Sequence, residues 1–156
     1  MASAEMPSAR PNGGRVGGPS GQPVIEANPL IEENRADITA QVVADKADIG
    51  IAWDGDADRC FFIDAEGSFC DGDFICALLA RAALSKNPGG TILYDPRSSR
   101  AVPDLVAREG GRSDLSRVGH AFFKARMREE GAVFGGEVSG HYYFRDFWNA
   151  DTGTVP

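Results

Sequence analysis

The chain has 156 residues, 42% of them hydrophobic and 25% charged, with a net charge of −7, which suits one globular domain or two small ones. The acidic balance argues against nonspecific binding to nucleic acid, and an anionic substrate would need local basic groups to hold it. No apolar run approaches the ~20 residues of a membrane span, and the N-terminus lacks the apolar core of an export signal, so a cytoplasmic location is expected. Cys60, Cys70 and Cys76 are odd in number and lack C-x-x-C spacing, and they read as reduced thiols.

Residues 1–23 contain five glycines and four prolines and almost no large apolar side chains. Such a segment buries too little surface to offset its ordering entropy, so a disordered tail is expected there. Order is expected from about Val24. Ile38 and Val42 stand four apart, which predicts a helix over 35–45. Ile49 to Trp53 is bare of charge on both faces and reads as a buried strand, parallel or central, with helices covering it.

That strand runs directly into Trp53-Asp54-Gly55-Asp56-Ala57-Asp58-Arg59. Three carboxylates this close repel one another unless a cation sits among them, and oxygen-only ligands suit Mg²⁺ or Ca²⁺. In an extended strand alternate residues lie roughly 6–7 Å apart, too far to share one ion. The chain must therefore curl after Asp54, which Gly55 and Ala57 allow. Arg59 follows at once, and a cation beside an arginine is suited to a phosphate. A solvated acidic turn is the plainer alternative.

Phe61-Phe62-Ile63 and Gly67-Ser68-Phe69-Cys70 read as a hairpin. Ile75, Leu78, Leu79 and Ala82 follow helical spacing, with Asp71 or Asp73 as cap. Asn87-Pro88-Gly89-Gly90 ends that helix and is taken as the boundary between segments 24–87 and 91–156. Beyond it come a strand from Thr91 to Asp95, a helix capped by Ser98 or Ser99 that stops at Gly110-Gly111, and a strand over Leu115 to Val118. A helix over 121–130 and strands over 132–134 and 142–144 follow. The last residues, Asp151 to Pro156, cap or close no element and read as an interruption. Strands alternating with helices predict a layered α/β fold.

A second group of polar residues lies in Gly135-Gly136-Glu137-Val138-Ser139-Gly140-His141. A carboxylate and a hydroxyl match the vicinal hydroxyls of a sugar, and glycines let the backbone approach such a ligand. A plain glycine-rich turn remains open. His120 lies where a strand meets a helix, a place that favours anions, with Lys124 one turn on. Arg97 follows Tyr94-Asp95-Pro96 just past a strand end, where open α/β sheets bind ligands. As alternatives, His120 is a surface or capping histidine, Arg97 an exposed loop arginine and Lys124 a solvated lysine. Trp53 and Trp148 read as packing residues.

Taken together, Asp54-Gly55-Asp56-Ala57-Asp58-Arg59, Gly119-His120 and Gly136-Glu137-Val138-Ser139-Gly140-His141 resemble the α-D-phosphohexomutases, the phosphomannomutase and phosphoglucomutase family, in order and in spacing. The resemblance covers about Ala27 to the C-terminus. It implies two partial phosphohexomutase-type domains, the end of the second and most of the third, each a layered α/β/α arrangement with a mixed sheet. It implies that Asp54, Asp56 and Asp58 bind Mg²⁺ and that Arg59 contacts a phosphoserine. Glu137, Ser139 and His141 would bind a hexose phosphate, and His120 and Arg97 would line the cleft, although lysine is usual where Arg97 stands. The implied reaction interconverts hexose 1-phosphate and hexose 6-phosphate through a phosphoserine and a bisphosphorylated sugar. The family's phosphoserine lies in a first-domain Ser-His-Asn-Pro loop, and a fourth domain clamps the substrate phosphate. This sequence contains neither, so the chain is expected to be inactive alone.

Two rival readings stay open. In an aspartyl-phosphate-type, Mg²⁺-dependent phosphatase, Asp54 would attack and Asp56 would donate the proton. A truncated relic without function is the other. An EF-hand fails, because its loop needs glycine sixth and glutamate twelfth, where Arg59 and Ala65 stand.

Overall fold

Two short sheets carry the fold, and alternation along their strands decides which helices cover them. The computed structural model describes residues 27–156, so the tail expected over 1–23 lies outside the described residues. The first unit consists of α1 (Glu32–Asp45), β1 (Ile49–Trp53), β2 (Cys60–Asp64) and β3 (Phe69–Cys70). The second consists of α2 (Gly72–Lys86), β4 (Thr91–Tyr94), α3 (Ala101–Arg108), β5 (Arg112–Leu115), α4 (His120–Glu130), β6 (Phe134–Gly136), β7 (Tyr142–Phe144), a short 3₁₀ turn (Arg145–Phe147) and β8 (Ala150–Asp151).

The larger sheet has the order β5-β4-β6-β7-β8. β5, β4 and β6 run parallel, while β7 and β8 return antiparallel. Side chains alternate across it. Ile92, Phe134 and Tyr142 face one way and pack with Val102 and Val106 of α3 and with Cys76, Ala80 and Leu84 of α2. Leu93 and Tyr143 face the other way and meet Phe123 and Met127 of α4. Phe123 stacks on Tyr143 with ring centroids 5.0 Å apart, worth about 0.5–1.5 kcal/mol beyond area burial. The result is the expected α/β/α layering with a mixed sheet. α2 packs on α3 and β6, and Asn87–Gly90, read as a boundary in the sequence, joins α2 to β4 inside this packing.

The smaller sheet departs from expectation. β1 is neither parallel nor central: it pairs antiparallel with β2 and lies at the edge of β1-β2-β3. α1 covers one face, where Gly50 sits under Val42 and Ile38. Ile49, Ile51 and Trp53 occupy the opposite face and are exposed. The charge-free run therefore reflects one covered face and one apolar, uncovered face, which a sequence pattern cannot tell apart from burial on both. The β2–β3 hairpin forms as read, with Cys70 opposite Phe62.

Other shifts are local. α1 starts at Glu32 rather than 35. Asp71 holds the N-cap position of α2 without a side-chain capping bond. Asp73 instead accepts the Phe74 amide and, at 3.3 Å, the Ser99 amide. β5 is Arg112–Leu115, not 115–118; at a sheet edge its polar residues give no apolar signal. β6 begins at Phe134 and runs through Gly135 and Gly136. A Cβ there would come within 2.8 Å of Phe123 and 2.5 Å of Cys76, so close packing, not a turn, requires these glycines. The C-terminal residues do close an element, since Ala150–Asp151 pairs with β7. No helix among the described residues is long and apolar enough to cross a membrane.

The exposed edge and face of β1 predict self-association. The purified chain is expected to elute as concentration-dependent oligomers in size exclusion with light scattering. Ile51→Lys is expected to shift it toward monomer, and a monodisperse wild-type monomer would contradict this.

Candidate functional site

The end of β1 turns sharply, and a backbone bridge then joins that turn to the second unit. Ala57 adopts a left-handed conformation (φ 60°), and its amide donates to the Asp54 carbonyl at 3.3 Å. The curl thus rests on Ala57 rather than Gly55. It brings ligand oxygens of Asp54, Asp56 and Asp58 within 4.8 Å of one another, which an extended strand could not do. These all-oxygen donors fit a hard cation such as Mg²⁺.

Arg59 lies against the same group. Its Nε donates to Asp54 Oδ2 at 2.5 Å and its amide donates to Asp54 Oδ1 at 3.2 Å, and Nε also lies 3.8 Å from Asp58 Oδ1. Burial alone would raise the Asp54 carboxyl, but the hydrogen bonds and charge of Arg59 outweigh it and hold Asp54 below the ordinary carboxylate value. Asp58 goes the other way. Burial pushes it up, and the charges of Asp54, Asp56 and Asp151 add to this against the pull of His141.

Arg59 and His141 form an isolated antiparallel bridge, in which the Cys60 amide donates to the Gly140 carbonyl at 3.1 Å. The two polar loops read separately in the sequence therefore make one site. His141 Nε2 lies 3.4 Å from Asp58 Oδ2, and its Nδ1 lies 3.2 Å from Ser139 Oγ. Glu137 is 2% exposed. Its Oε1 accepts the Tyr143 hydroxyl at 2.5 Å, and its Oε2 accepts the Gly119 amide at 3.2 Å. Arg97 Nη2 approaches Glu137 Oε2 and Ser139 Oγ, each at 3.5 Å. His120 opens α4 with an exposed side chain, and the preceding Gly119 amide ties it to the Glu137 loop.

Two profiles match this chain: Phosphoglucomutase/phosphomannomutase, alpha/beta/alpha domain III, over residues 71–156, and alpha/beta/alpha domain II of the same enzymes, over residues 21–67. The chain belongs to the phosphoglucomutase/phosphomannomutase family. A phosphomannomutase of Escherichia coli is 51% identical over 129 residues, 83% of this chain and 28% of that protein. Phosphohexose mutases of Xanthomonas campestris pv. campestris are 52% identical over 130 residues, 83% of this chain and 29% of theirs. A crystal structure of a phosphoglucomutase/phosphomannomutase family protein from Burkholderia thailandensis superposes with a TM-score of 0.78 at 38% identity, covering 81% of this chain and 28% of that one. The chain thus spans under a third of the length of these curated relatives. The resemblance read from the two motifs is this family.

Sequence reading missed four parts of this polar cluster. Asp95 is fully buried and holds Arg97, with Nη2 2.7 Å from Oδ2. Tyr143 holds Glu137, and its burial and its bond to Glu137 raise its hydroxyl well above the ordinary value. Asp151 takes Lys124 Nζ at 2.5 Å, so Lys124 is paired rather than solvated. Asp151 also approaches Asp58 and His141, with ligand atoms within 4.8 Å. Fourth, the segment after β8 folds back on the Asp54 loop. The Gly153 amide donates to the Ala57 carbonyl at 3.2 Å, and the Trp53 indole donates to the Gly153 carbonyl. Asp95 had a usable signal, a carboxylate ending a strand beside Arg97. Nothing local marked Tyr143 or Asp151. The thiols stand apart from this chemistry, as burial pushes Cys60 up to about 11 and Cys76 higher still.

Two variants probe this electrostatic frame. Tyr143→Phe strips the hydroxyl from the buried Glu137 Oε1 and is expected to cost about 1–3 kcal/mol in urea denaturation. Asp58 has a raised folded pKa, so its increment of stability is present in acid and lost as pH rises through that pKa. Asp58→Asn is therefore expected to raise the melting temperature of the metal-free chain near neutral pH, with the gain shrinking in acid.

Proposed function

We propose that this chain supplies the metal loop and the sugar loop of a phosphohexomutase, which interconverts hexose 1-phosphate and hexose 6-phosphate. One observation carries the reading: the bridge between Arg59 and His141 sets three clustered carboxylates beside a buried, oriented glutamate. The names of the relatives, phosphomannomutase and phosphohexose mutases, support it. We also propose that the two domains divide near Asp71, since α2 packs on the larger sheet.

In this reading Asp54, Asp56 and Asp58 hold Mg²⁺. When bound, the ion supplies positive charge that stabilises a phosphoryl group in transfer. Arg59, locked to Asp54, offers its guanidinium to a phosphate on the enzyme. Glu137 has both oxygens oriented by protein donors and keeps lone pairs for sugar hydroxyls. Ser139 adds a hydroxyl, and His141 spans from Ser139 to Asp58, between the two loops. His120 and Arg97 line the same cleft. A phosphatase reading would need Asp54 as nucleophile, yet its side chain is 1% exposed and is clamped by Arg59.

The chain alone lacks a phosphoserine donor and a distal phosphate clamp. Mg²⁺ and hexose phosphate are therefore expected to bind weakly, with no turnover of glucose 1-phosphate or mannose 1-phosphate. Calorimetry with Mg²⁺ or Mn²⁺ is expected to show binding that Asp56→Ala abolishes. Unchanged affinity in Asp56→Ala would remove the loop as the metal site. Turnover by the pure chain, lost in Asp54→Ala, would refute the missing donor.

A further inference from the structure

Asp95 is fully buried at the end of β4 and has no part in the reading above. Its carboxylate accepts four hydrogen bonds. Oδ1 takes the Arg97 amide at 2.7 Å and Arg97 Nε at 3.2 Å. Oδ2 takes Arg97 Nη2 at 2.7 Å and the Val138 amide at 3.0 Å. Val138 lies between Glu137 and Ser139, so that last bond reaches the centre of the sugar loop. The fold explains the reach. β4 and β6 are parallel neighbours with Tyr94 opposite Gly136, so the residues that follow each strand emerge side by side.

Val138 is confined from its other side as well. A Cβ added to Gly72, at the start of α2, would lie 2.3 Å from the Val138 carbonyl oxygen. The loop residue is therefore pulled by Asp95 through its amide and abutted by Gly72 at its carbonyl. Arg97, gripped by the same carboxylate, is left with Nη2 at 3.5 Å from both Glu137 Oε2 and Ser139 Oγ. One buried carboxylate thus sets three polar groups around one space.

We propose that Asp95 is the positioning residue of the sugar loop: by tying the Val138 amide and the Arg97 guanidinium together, it makes Glu137, Ser139 and Arg97 converge on the hydroxyls of a hexose phosphate. The proposal rests on the reading of Glu137 and Ser139 as hydroxyl ligands. Asparagine has nearly the same shape but replaces one acceptor oxygen with a donor. Four donors then face too few acceptors, and the Val138 or Arg97 tie must break.

The test uses the whole ¹⁵N-labelled chain with glucose 1-phosphate, and with inorganic phosphate as the control for the phosphate alone. In the wild type the Val138 amide is expected to exchange slowly, and the sugar phosphate is expected to shift the amides of 137–141 beyond the effect of phosphate. In Asp95→Asn, Val138 is expected to lose protection and the sugar-dependent affinity to fall about tenfold. The Phe134 and Tyr143 amides are expected to stay in place. Retained Val138 protection with unchanged affinity overturns the proposal. So does loss of the Phe134 and Tyr143 signals together with Val138, which marks a general structural role. If the protected wild-type loop ignores the sugar phosphate, the hydroxyl-ligand reading fails and the positioning role falls with it, while the Asp95–Val138 tie itself stands. Gly72→Ala presses on Val138 from the opposite side with Asp95 intact. An unchanged sugar response in that variant, with the Val138 amide signal shown to be displaced, also overturns the proposal, whether or not Asp95→Asn folds.

Discussion

The Cys60 amide donates to the Gly140 carbonyl, and around this bond Arg59 and His141 lie in antiparallel register. Before it lies the turn that gathers Asp54, Asp56 and Asp58. Across it lies the loop that carries Glu137 and Ser139. The bond is short-range in space and long-range in sequence, so closing it is costly in chain entropy. Packing offsets that cost, because Cys60 and Phe62 of β2 share one apolar cluster with Cys76, Ala77 and Tyr142. The Gly153 contacts with Ala57 and Trp53 brace the same junction from the segment after β8.

Charge then sorts the groups at this junction. Asp54 is lowered because Arg59 gives it two hydrogen bonds, whereas Asp58 is raised by its burial, with the charges of Asp54, Asp56 and Asp151 adding to this against the pull of His141. Adjacent carboxylates of one loop are thus driven apart in acidity by their partners. Such strain is expected where a site is shaped to receive a cation rather than for stability. On the Glu137 side the pattern reverses, with Glu137 and Asp95 buried and each of their carboxylate oxygens held by at least one protein donor. Buried carboxylates of that kind hold a loop still, because releasing either one would leave it uncompensated.

Local patterns made much of this legible. The helices from Ile38 and Val42, from Ile75 to Ala82, and around Phe123 and Met127 show their apolar spacing, and the structure has each of them. The strand at 142–144 and the hairpin at 61–70 were readable as short apolar runs, the hairpin's two joined by a turn. β5 was not, since Arg112–Leu115 lies at an edge with no apolar face to display. β6 was misplaced because its glycines resemble a turn, while in the fold they admit Phe123 and Cys76. β1 was misread as central because an apolar run records hydrophobicity and not which neighbours pair with it.

The sequence by itself determined the donor types and their spacing: three alternating aspartates with an arginine, and a glutamate, serine and histidine among glycines. Those residues have few other uses in such close order, so the family could be read from them. Tertiary structure alone decided that the two sets form one site, and which carboxylates support it. Asp95, Tyr143 and Asp151 act through partners 43, 6 and 27 positions away, at Val138, Glu137 and Lys124. Hydrogen bonds of that kind depend on strand order and register. These are set by packing of the whole chain and leave no periodic mark in the local sequence.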